Sequence, residues 1–206
     1  GLSGTDGTPR YYVDGGNRTD AQVSNLADLA YSGTRHPTYS GSLSNTIAYK
    51  NFELSFMFMF YGGNVLRTEA APYLSEPTHL NPNKEMNNIW RQPGDERNPD
   101  ATPAFTGYAL DLTTMVHPWH AADKHVFKAD YAKLRHVSLT YRVPQQLVSR
   151  CHLSQLAFTL QAQNLFRWTA NSYNIDPEAL GTTGYGWGMR AIPSPATWTL
   201  GVSATF

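Results

Sequence analysis

Apolar and polar residues alternate without a break over Ala196–Phe206. Ala196, Trp198, Leu200, Val202, Ala204 and Phe206 fall on one side, and Thr197, Thr199, Gly201, Ser203 and Thr205 on the other. Side chains in a strand switch faces at every residue, so this pattern predicts a strand with one apolar and one small polar face. Its length suits a tilted strand crossing a bilayer, which takes roughly 9–11 residues. A strand from a soluble sandwich carries the same pattern, so the segment alone leaves both readings open. Four further segments repeat it: Thr38–Tyr49, Phe52–Tyr61, about Tyr131–Val143, and Leu156–Trp168. Only Lys50 and Asn51 separate the first two, which predicts a tight hairpin.

The polar faces separate the two readings. In a soluble sandwich the outer face meets bulk water and carries Lys and Glu. Here it carries Ser, Thr and Gln with almost no charge over the central strand lengths. A wet barrel lumen accepts such a face, while lipid meets the apolar one. Charge on the lipid face costs about 2–4 kcal/mol per Arg or Lys at the midplane. Four of the five apolar faces have no such charge. In the third segment Lys133 and Arg135 share the parity of Val137, Leu139 and Tyr141. Either they lie near the outer rim or a bulge shifts the parity there.

The connections alternate in length. With the C-terminus on the periplasmic side, Lys50–Asn51 and a modest turn over 144–155 face the periplasm. Long stretches 1–37, 62–130 and 169–195 face outside, as barrel topology demands. The expected organisation is an extracellular loop 1–37, a transmembrane hairpin 38–61 and a long loop 62–130. A hairpin over 131–168, a loop 169–195 and a closing strand 196–206 follow. Pro144–Arg150 reads as a helical turn, Lys84–Arg91 as a short helix, and Phe105–Leu112 as a weak strand.

Composition supports this picture and narrows function. The 206 residues carry zero net charge, with 16 basic and 16 acidic side chains, so no basic excess points to nucleic acid. Charged residues are 16%, below the roughly 25% usual for soluble domains. Aromatics reach 13%. No run of about eighteen apolar residues predicts a membrane helix, which leaves barrel strands open. The single cysteine, Cys151, excludes an intrachain disulfide and reads as a small hydrophobe near a turn.

No Ser-His-Asp set, nucleophile elbow, P-loop or dinucleotide fingerprint is present, so neither catalysis nor a cofactor is expected. His117, His120 and His125 with Asp123 form a metal-like cluster, but Pro118 and the lack of a helix spoil ligand geometry. These histidines read as chance loop residues, and no metal is expected. Asp14–Asp20 lacks calcium-loop spacing. Glu53 is expected on the lumen face near the periplasmic end. Trp90, Arg91, Trp119, Tyr185, Trp187 and Arg190 are candidate contacts for a ligand or a lid protein, with packing within the loops as the alternative for the aromatic rings. Trp168, Trp198, Tyr39 and Tyr49 fit interfacial girdle positions.

Six stretches in order carry a family likeness. They are Gly1–Tyr12 (GLSGTDGTPRYY), Tyr31–Lys50 (with YSGT and SNTIAYK), Trp90–Glu96 (WRQPGDE), Ala129–Pro144, Gln163–Thr169 (QNLFRWT), and Ile192–Pro193 before the last strand. Together they resemble the C-terminal part of the SusC/RagA family of TonB-dependent outer-membrane transporters. Trp90 and Arg91 are exchanged relative to the family's loop motif. The resemblance implies an all-β transmembrane antiparallel barrel of about 22 strands around a plug, of which this chain would hold the last five or so, with long extracellular loops. It implies import of a glycan or peptide, a SusD-like lipoprotein lid, drive from the TonB complex through an N-terminal region, and contact with outer-membrane lipid. It also implies that Trp198, Leu200, Val202, Ala204 and Phe206 belong to the signal for barrel assembly. Neither plug nor TonB box is visible, so the chain is expected to be the C-terminal piece of a longer polypeptide. The alternatives are a secreted β-sandwich glycan-binding module or glycosidase fragment, and a small eight-stranded outer-membrane barrel with strands hidden in 62–130.

Overall fold

The computed structural model describes residues 1–13, 17–19, 26–68, 87–104, 119, 122–182 and 188–206. Its strands are β1 (Tyr11–Val13), β2 (Asn17–Thr19), β3 (Tyr39–Tyr49), β4 (Phe52–Gly62), β5 (Val65–Arg67), β6 (Val126–Lys128), β7 (Tyr131–Arg142), β8 (Gln155–Thr169), β9 (Leu180–Thr182), β10 (Gly188–Arg190) and β11 (Thr197–Thr205). A short helix, α1 (Gln145–Val148), begins after Pro144, where the sequence predicted a helical turn. The expected strand over 105–112 and residues 84–86 of the expected helix over 84–91 lie outside the described residues; the described remainder, 87–91, forms no α-helix.

The chain divides into two compact units. One comprises Gly1–Ser32 and Arg67–Val126, the other Gly33–Leu66 and Phe127–Phe206. The second unit contains a five-stranded antiparallel sheet in the order β3-β4-β7-β8-β11, a meander in which each strand pairs with the next of the five along the chain. Short ladders join β1 to β2, β5 to β6 and β9 to β10.

The β3–β4 hairpin shows why its sequence closes tightly. Tyr49 faces Phe52 across a two-residue turn, with Lys50 at φ 54° supplying the positive angle such a turn requires. At the far end Gly41 faces Phe60 and Gly62 faces Tyr39. In both pairs the aromatic ring lies where a glycine Cβ would stand, so the ring covers bare backbone.

Register places like faces together. Ile47, Leu54, Leu139, Leu160 and Leu200 form one row across all five strands. Tyr49, Phe52, Tyr141, Phe158 and Val202 form the next row toward the Lys50 turn. The opposite face carries Ser55, Ser138, Gln161 and Thr199 in register. Thr140 and Thr159 share a 3.1 Å hydroxyl hydrogen bond there.

The bulge alternative for Lys133 and Arg135 is the one the structure adopts. Between the pairs Met57–His136 and Phe58–Leu134, β7 has one residue more than β4, and that residue is Arg135. A bulge interrupts the strict alternation of faces. On one side of it Val137, Leu139 and Tyr141 belong to the apolar face; on the other, Leu134 and Ala132 do. Lys133 thereby joins the polar face, between Met59 and Arg167. The partner β8 is irregular at the same level, where Asn164 has φ 56°.

The second unit's core is small and lies beside the strand ends. Leu66, Ala129 and Ile175 are buried together, with Phe127 and Leu180 packed on them. Tyr173 meets Phe127 edge to face at 5.0 Å. Ile175 is thus the apolar anchor for the loop that follows β8.

Candidate functional site

The apolar face of the five-stranded sheet is broadly exposed. Leu43 is 58% exposed, Phe158 41% and Leu200 72%. A soluble sandwich would cover such residues with a second sheet. Among the described residues nothing covers them, and no charged side chain occupies a paired position on that face. Tyr39, Tyr49, Trp168 and Trp198 are also exposed, toward the ends of their strands. Ala204 and Val202 are exposed on the same face of β11, and Phe206 follows that strand.

The opposite face is polar, with ion pairs at its two ends. Near the Lys50 turn, Arg142 Nη1 donates to Glu53 Oε2 at 2.9 Å. Both side chains are solvated, so this pair contributes at most about 1 kcal/mol. Glu53 therefore has a partner within the sheet.

At the other end lies a buried network that sequence reading did not assemble. Register sets Lys133 directly opposite Arg167, a repulsive cross-strand pair if left alone. Asp176 answers it: its Oδ2 accepts from Lys133 Nζ at 2.7 Å and from Arg167 Nη1 at 3.3 Å. Lys133 also donates to Glu178 Oε2 at 2.6 Å. Glu178 Oε1 accepts from Tyr131 OH at 2.9 Å and from Arg135 Nη2. Lys133 is only 5% exposed.

Local structure holds these carboxylates in place. Asp176 Oδ1 caps the turn at Pro177–Ala179 by accepting from Glu178 N–H at 3.0 Å. Asn171 clamps the loop by accepting from Ile175 N–H at 2.7 Å and donating to the Ile175 carbonyl at 2.8 Å. Burial by itself would push the Asp176 carboxyl up. Hydrogen bonds from Lys133, from Glu178 N–H and from Arg167, with the Lys133 charge, outweigh it and hold the group below the ordinary carboxylate range. Burial likewise opposes ionisation of Glu178, and hydrogen bonds from Lys133, Tyr131 and Arg135 again win. A cavity of about 280 Å³ adjoins the network, lined by Lys133, Arg167, Asn174, Asp176 and Ser194 among others.

The first unit explains the loop motifs. In Gly1–Tyr12, Asp6 Oδ1 accepts from Thr8 N–H and Thr8 Oγ1, and Gly7 N–H reaches the Ser3 carbonyl. Hydrogen bonds from Ser3 first, then Thr8, hold the Asp6 carboxyl low. Gly7 has φ 68°, and a Cβ there would stand 2.5 Å from the Trp90 ring. In Trp90–Glu96, Glu96 Oε2 accepts from Trp90 Nε1 at 3.2 Å and from Gly94 N–H at 2.7 Å. Asp95 Oδ2 accepts from Arg91 and Gln92 N–H. The Trp, Gly, Asp and Glu of this motif are thus accounted for by the loop's own hydrogen bonds and packing.

The sequence-predicted contacts fall in different places. Trp90 is 9% exposed and Trp119 3%, so packing within the loops is the alternative their burial favours. Trp119 meets His125 edge to face at 5.2 Å, and Lys124 Nζ stands 5.0 Å over the indole. Arg91 is exposed and lines a groove of about 410 Å³. Tyr185, Trp187, His117 and His120 lie outside the described residues. Arg190 is placed by backbone in β10, and its side chain lies outside them. Among the described residues no cluster of metal-binding side chains forms around His125.

Together these features define a class: an all-β chain built on a five-stranded antiparallel meander with one exposed apolar and one polar face. Among the described residues no helix is long and apolar enough to cross a membrane, which says nothing of strands. No family model matches the chain. Two curated relatives from Formosa agariphila do: TonB-dependent receptor P3, 22% identical over 188 residues, and TonB-dependent receptor P26, 23% identical over 218. The alignments cover 87% and 97% of this chain but 17% and 20% of the relatives. The chain therefore spans about a fifth of the length of the curated relatives it matches. Among solved structures, the RagAB peptide importer in its closed-closed state aligns with TM-score 0.73 at 20% identity, covering 100% of this chain and 22% of that one. Its open-open state gives 0.66 at 20%, covering 100% and 21%. A RagAB peptide transporter structure gives 0.70 at 21%, covering 100% and 22%. At these identities the structural likeness establishes the fold. The chain is similar to a part of SusC/RagA-like TonB-dependent outer-membrane transporters. These relatives and neighbours are named as receptors, importers or transporters, none as an enzyme.

Proposed function

We propose that residues 1–206 form wall strands and extracellular loops of a TonB-dependent outer-membrane importer, within a barrel of about 22 strands. The observation that carries this reading is the exposed apolar face running uncharged across β3, β4, β7, β8 and β11. Lipid is the solvent that suits it, and the bulge that turns Lys133 to the polar face fits the same demand. The polar face then lines a wet lumen. Stretches 1–37, 62–130 and 169–195 lie on the extracellular side, where a SusD-like lipoprotein would close over them. The cargo class is glycans or peptides, and TonB engages a region outside these residues.

The test uses the whole protein in outer membranes, with Cys151→Ser as background. Single cysteines at Thr199 and Ser203 on the polar face should react with a water-soluble maleimide. Cysteines at Leu200 and Val202 should resist it and react with a membrane-partitioning maleimide. Equal aqueous labelling of all four positions, or recovery of the protein without detergent, would overturn the reading.

A further inference from the structure

We infer that the groove around Arg91 is a binding site for a carboxylate-bearing ligand. The inference rests on the importer reading for what the ligand is for, but not for whether it binds. Three observations carry it. First, the groove is built by a fixed loop. Trp90 N–H bonds the Thr102 carbonyl at 3.0 Å and Thr102 N–H the Asn88 carbonyl at 2.9 Å, with the Trp90 ring packed on Gly7 beneath. Second, its acidic residue is engaged: Asp95 Oδ2 is held by the N–H groups of Arg91 and Gln92 at 2.9 and 3.1 Å. Third, the Arg91 guanidinium is exposed with no hydrogen-bond or ion-pair partner among the described residues. The side-chain carboxamides of Asn87, Asn88 and Gln92 stand beside it with none either. Asn98 Oδ1 accepts from Asp100 N–H at 3.0 Å, which turns one more carboxamide into a donor.

The chemistry follows from these groups. A guanidinium presents paired N–H donors in the geometry of a carboxylate, and such pairs are stronger than neutral hydrogen bonds. Carboxamides both donate and accept, so they match groups flanking that carboxylate. Two sources share this chemistry: a uronic acid, with hydroxyls beside its carboxylate, and a peptide, with amides beside its C-terminus. A groove of about 410 Å³ is of the size that holds one or two such units.

The experiment measures binding by calorimetry to the intact protein in detergent. The probes are a galacturonate trisaccharide and its methyl ester, and a tripeptide with a free or an amidated C-terminus. One free acid should bind at least tenfold more tightly than its neutral partner, and which acid does so identifies the source. Arg91→Met should abolish that preference. Arg91→Lys, which keeps the charge but loses the paired donors, should retain only part of it. Asn98→Ala should weaken binding of acid and neutral forms alike. Wild-type preference in Arg91→Met, equal binding of acid and neutral forms, or no binding of any probe overturns the site. The membrane-labelling pattern at residues 199–203 is unaffected by those results, so failure of the groove and failure of the importer reading are told apart.

Discussion

Removing Lys133 should loosen the loop after β8 less than removing Asp176, although the two groups share one ion pair. The buried network holds three cations, Lys133, Arg135 and Arg167, and two carboxylates, Asp176 and Glu178. Lys133→Met deletes two charge-assisted hydrogen bonds, each contributing about 1.5–3 kcal/mol. Each carboxylate keeps a cation, however: Asp176 keeps Arg167, and Glu178 keeps Arg135 and the Tyr131 hydroxyl. Methionine also removes the desolvation cost of a buried ammonium. The net loss is about 2 kcal/mol on those terms. Asp176→Asn takes away the one carboxylate shared by Lys133 and Arg167, which face each other across β7 and β8. It also weakens the cap on Glu178 N–H. Lys133, Arg135 and Arg167 are then left with the single carboxylate of Glu178, and breaking a buried pair in this way costs about 3–5 kcal/mol.

Hydrogen exchange of the amides over 170–180, read by mass spectrometry on the intact protein in nanodiscs, measures this opening directly. At 1.4 kcal/mol per tenfold, Lys133→Met should speed exchange of Ile175 and Glu178 about 30-fold, and Asp176→Asn by roughly 150-fold or more. Amides of β4 and β11 should keep wild-type protection in both variants. If Lys133→Met opens the loop as much as Asp176→Asn does, the charge balance argued for the network is wrong. If neither variant opens it, Ile175 and the Asn171 clamp hold the loop without help from charge.

Three other outcomes follow from the same structure. Asp176 and Glu178 both titrate below the ordinary carboxylate range, so the folded loop binds fewer protons than the open one; their anchoring should be complete above about pH 4.5 and fade as the pH falls further, seen in exchange corrected for its intrinsic pH dependence, with loss beginning near neutrality as the contrary result. Leu200→Arg, in the central aliphatic row, should cost about 2–4 kcal/mol and deplete folded, heat-modifiable protein in outer membranes, while Thr199→Arg on the polar face should be nearly neutral; the reverse order would contradict the assignment of faces. Gly7→Ala should destabilise the first unit by at least about 1–2 kcal/mol, since it adds a left-handed alanine against the Trp90 ring, and limited proteolysis within 87–104 should accelerate while the sheet stays intact.

The sheet was legible because its signal is local. A period of two over β3, β4, β8 and β11 states which residues share a face, and a two-residue gap at Lys50 leaves a hairpin little choice of register. What sits in the loops was less legible. Trp90 and Trp119 read as candidate contacts with packing within the loops as the alternative, and sequence alone could not choose because a long loop can build its own small core from aromatics. The carboxylates of Asp176 and Glu178 look like ordinary solvated loop residues; their partner Lys133 is 43 residues away from the first, and no local pattern connects them. Arg91 was a candidate through its place beside Trp90 in sequence; its exposure on a groove was not legible there.

The hardest stretch, around Lys133 and Arg135, shows how one demand propagates. Parity alone sets both charges on the apolar face of β7, where, on the proposed barrel reading, lipid would penalise each by up to about 2–4 kcal/mol at the midplane and less toward the rim. The Arg135 bulge removes that conflict by moving Lys133 to the polar face. The same move creates another, because Lys133 then faces Arg167. Two cations in register need an anion between them, and the strands contribute none at that level. The loop after β8 supplies it: Asn171 and Ile175 fold the segment back so that Asp176 meets both cations and Glu178 meets Lys133, Arg135 and Tyr131. Bulge, ion network and folded-back loop are therefore one solution to charged residues in a strand whose other face is apolar. Lys133→Leu together with Arg167→Gln should make the two loop carboxylates the liability, releasing 171–180 even though both carboxylates remain. Protection of that segment at the wild-type level in the double variant would show that the loop folds back for reasons other than charge.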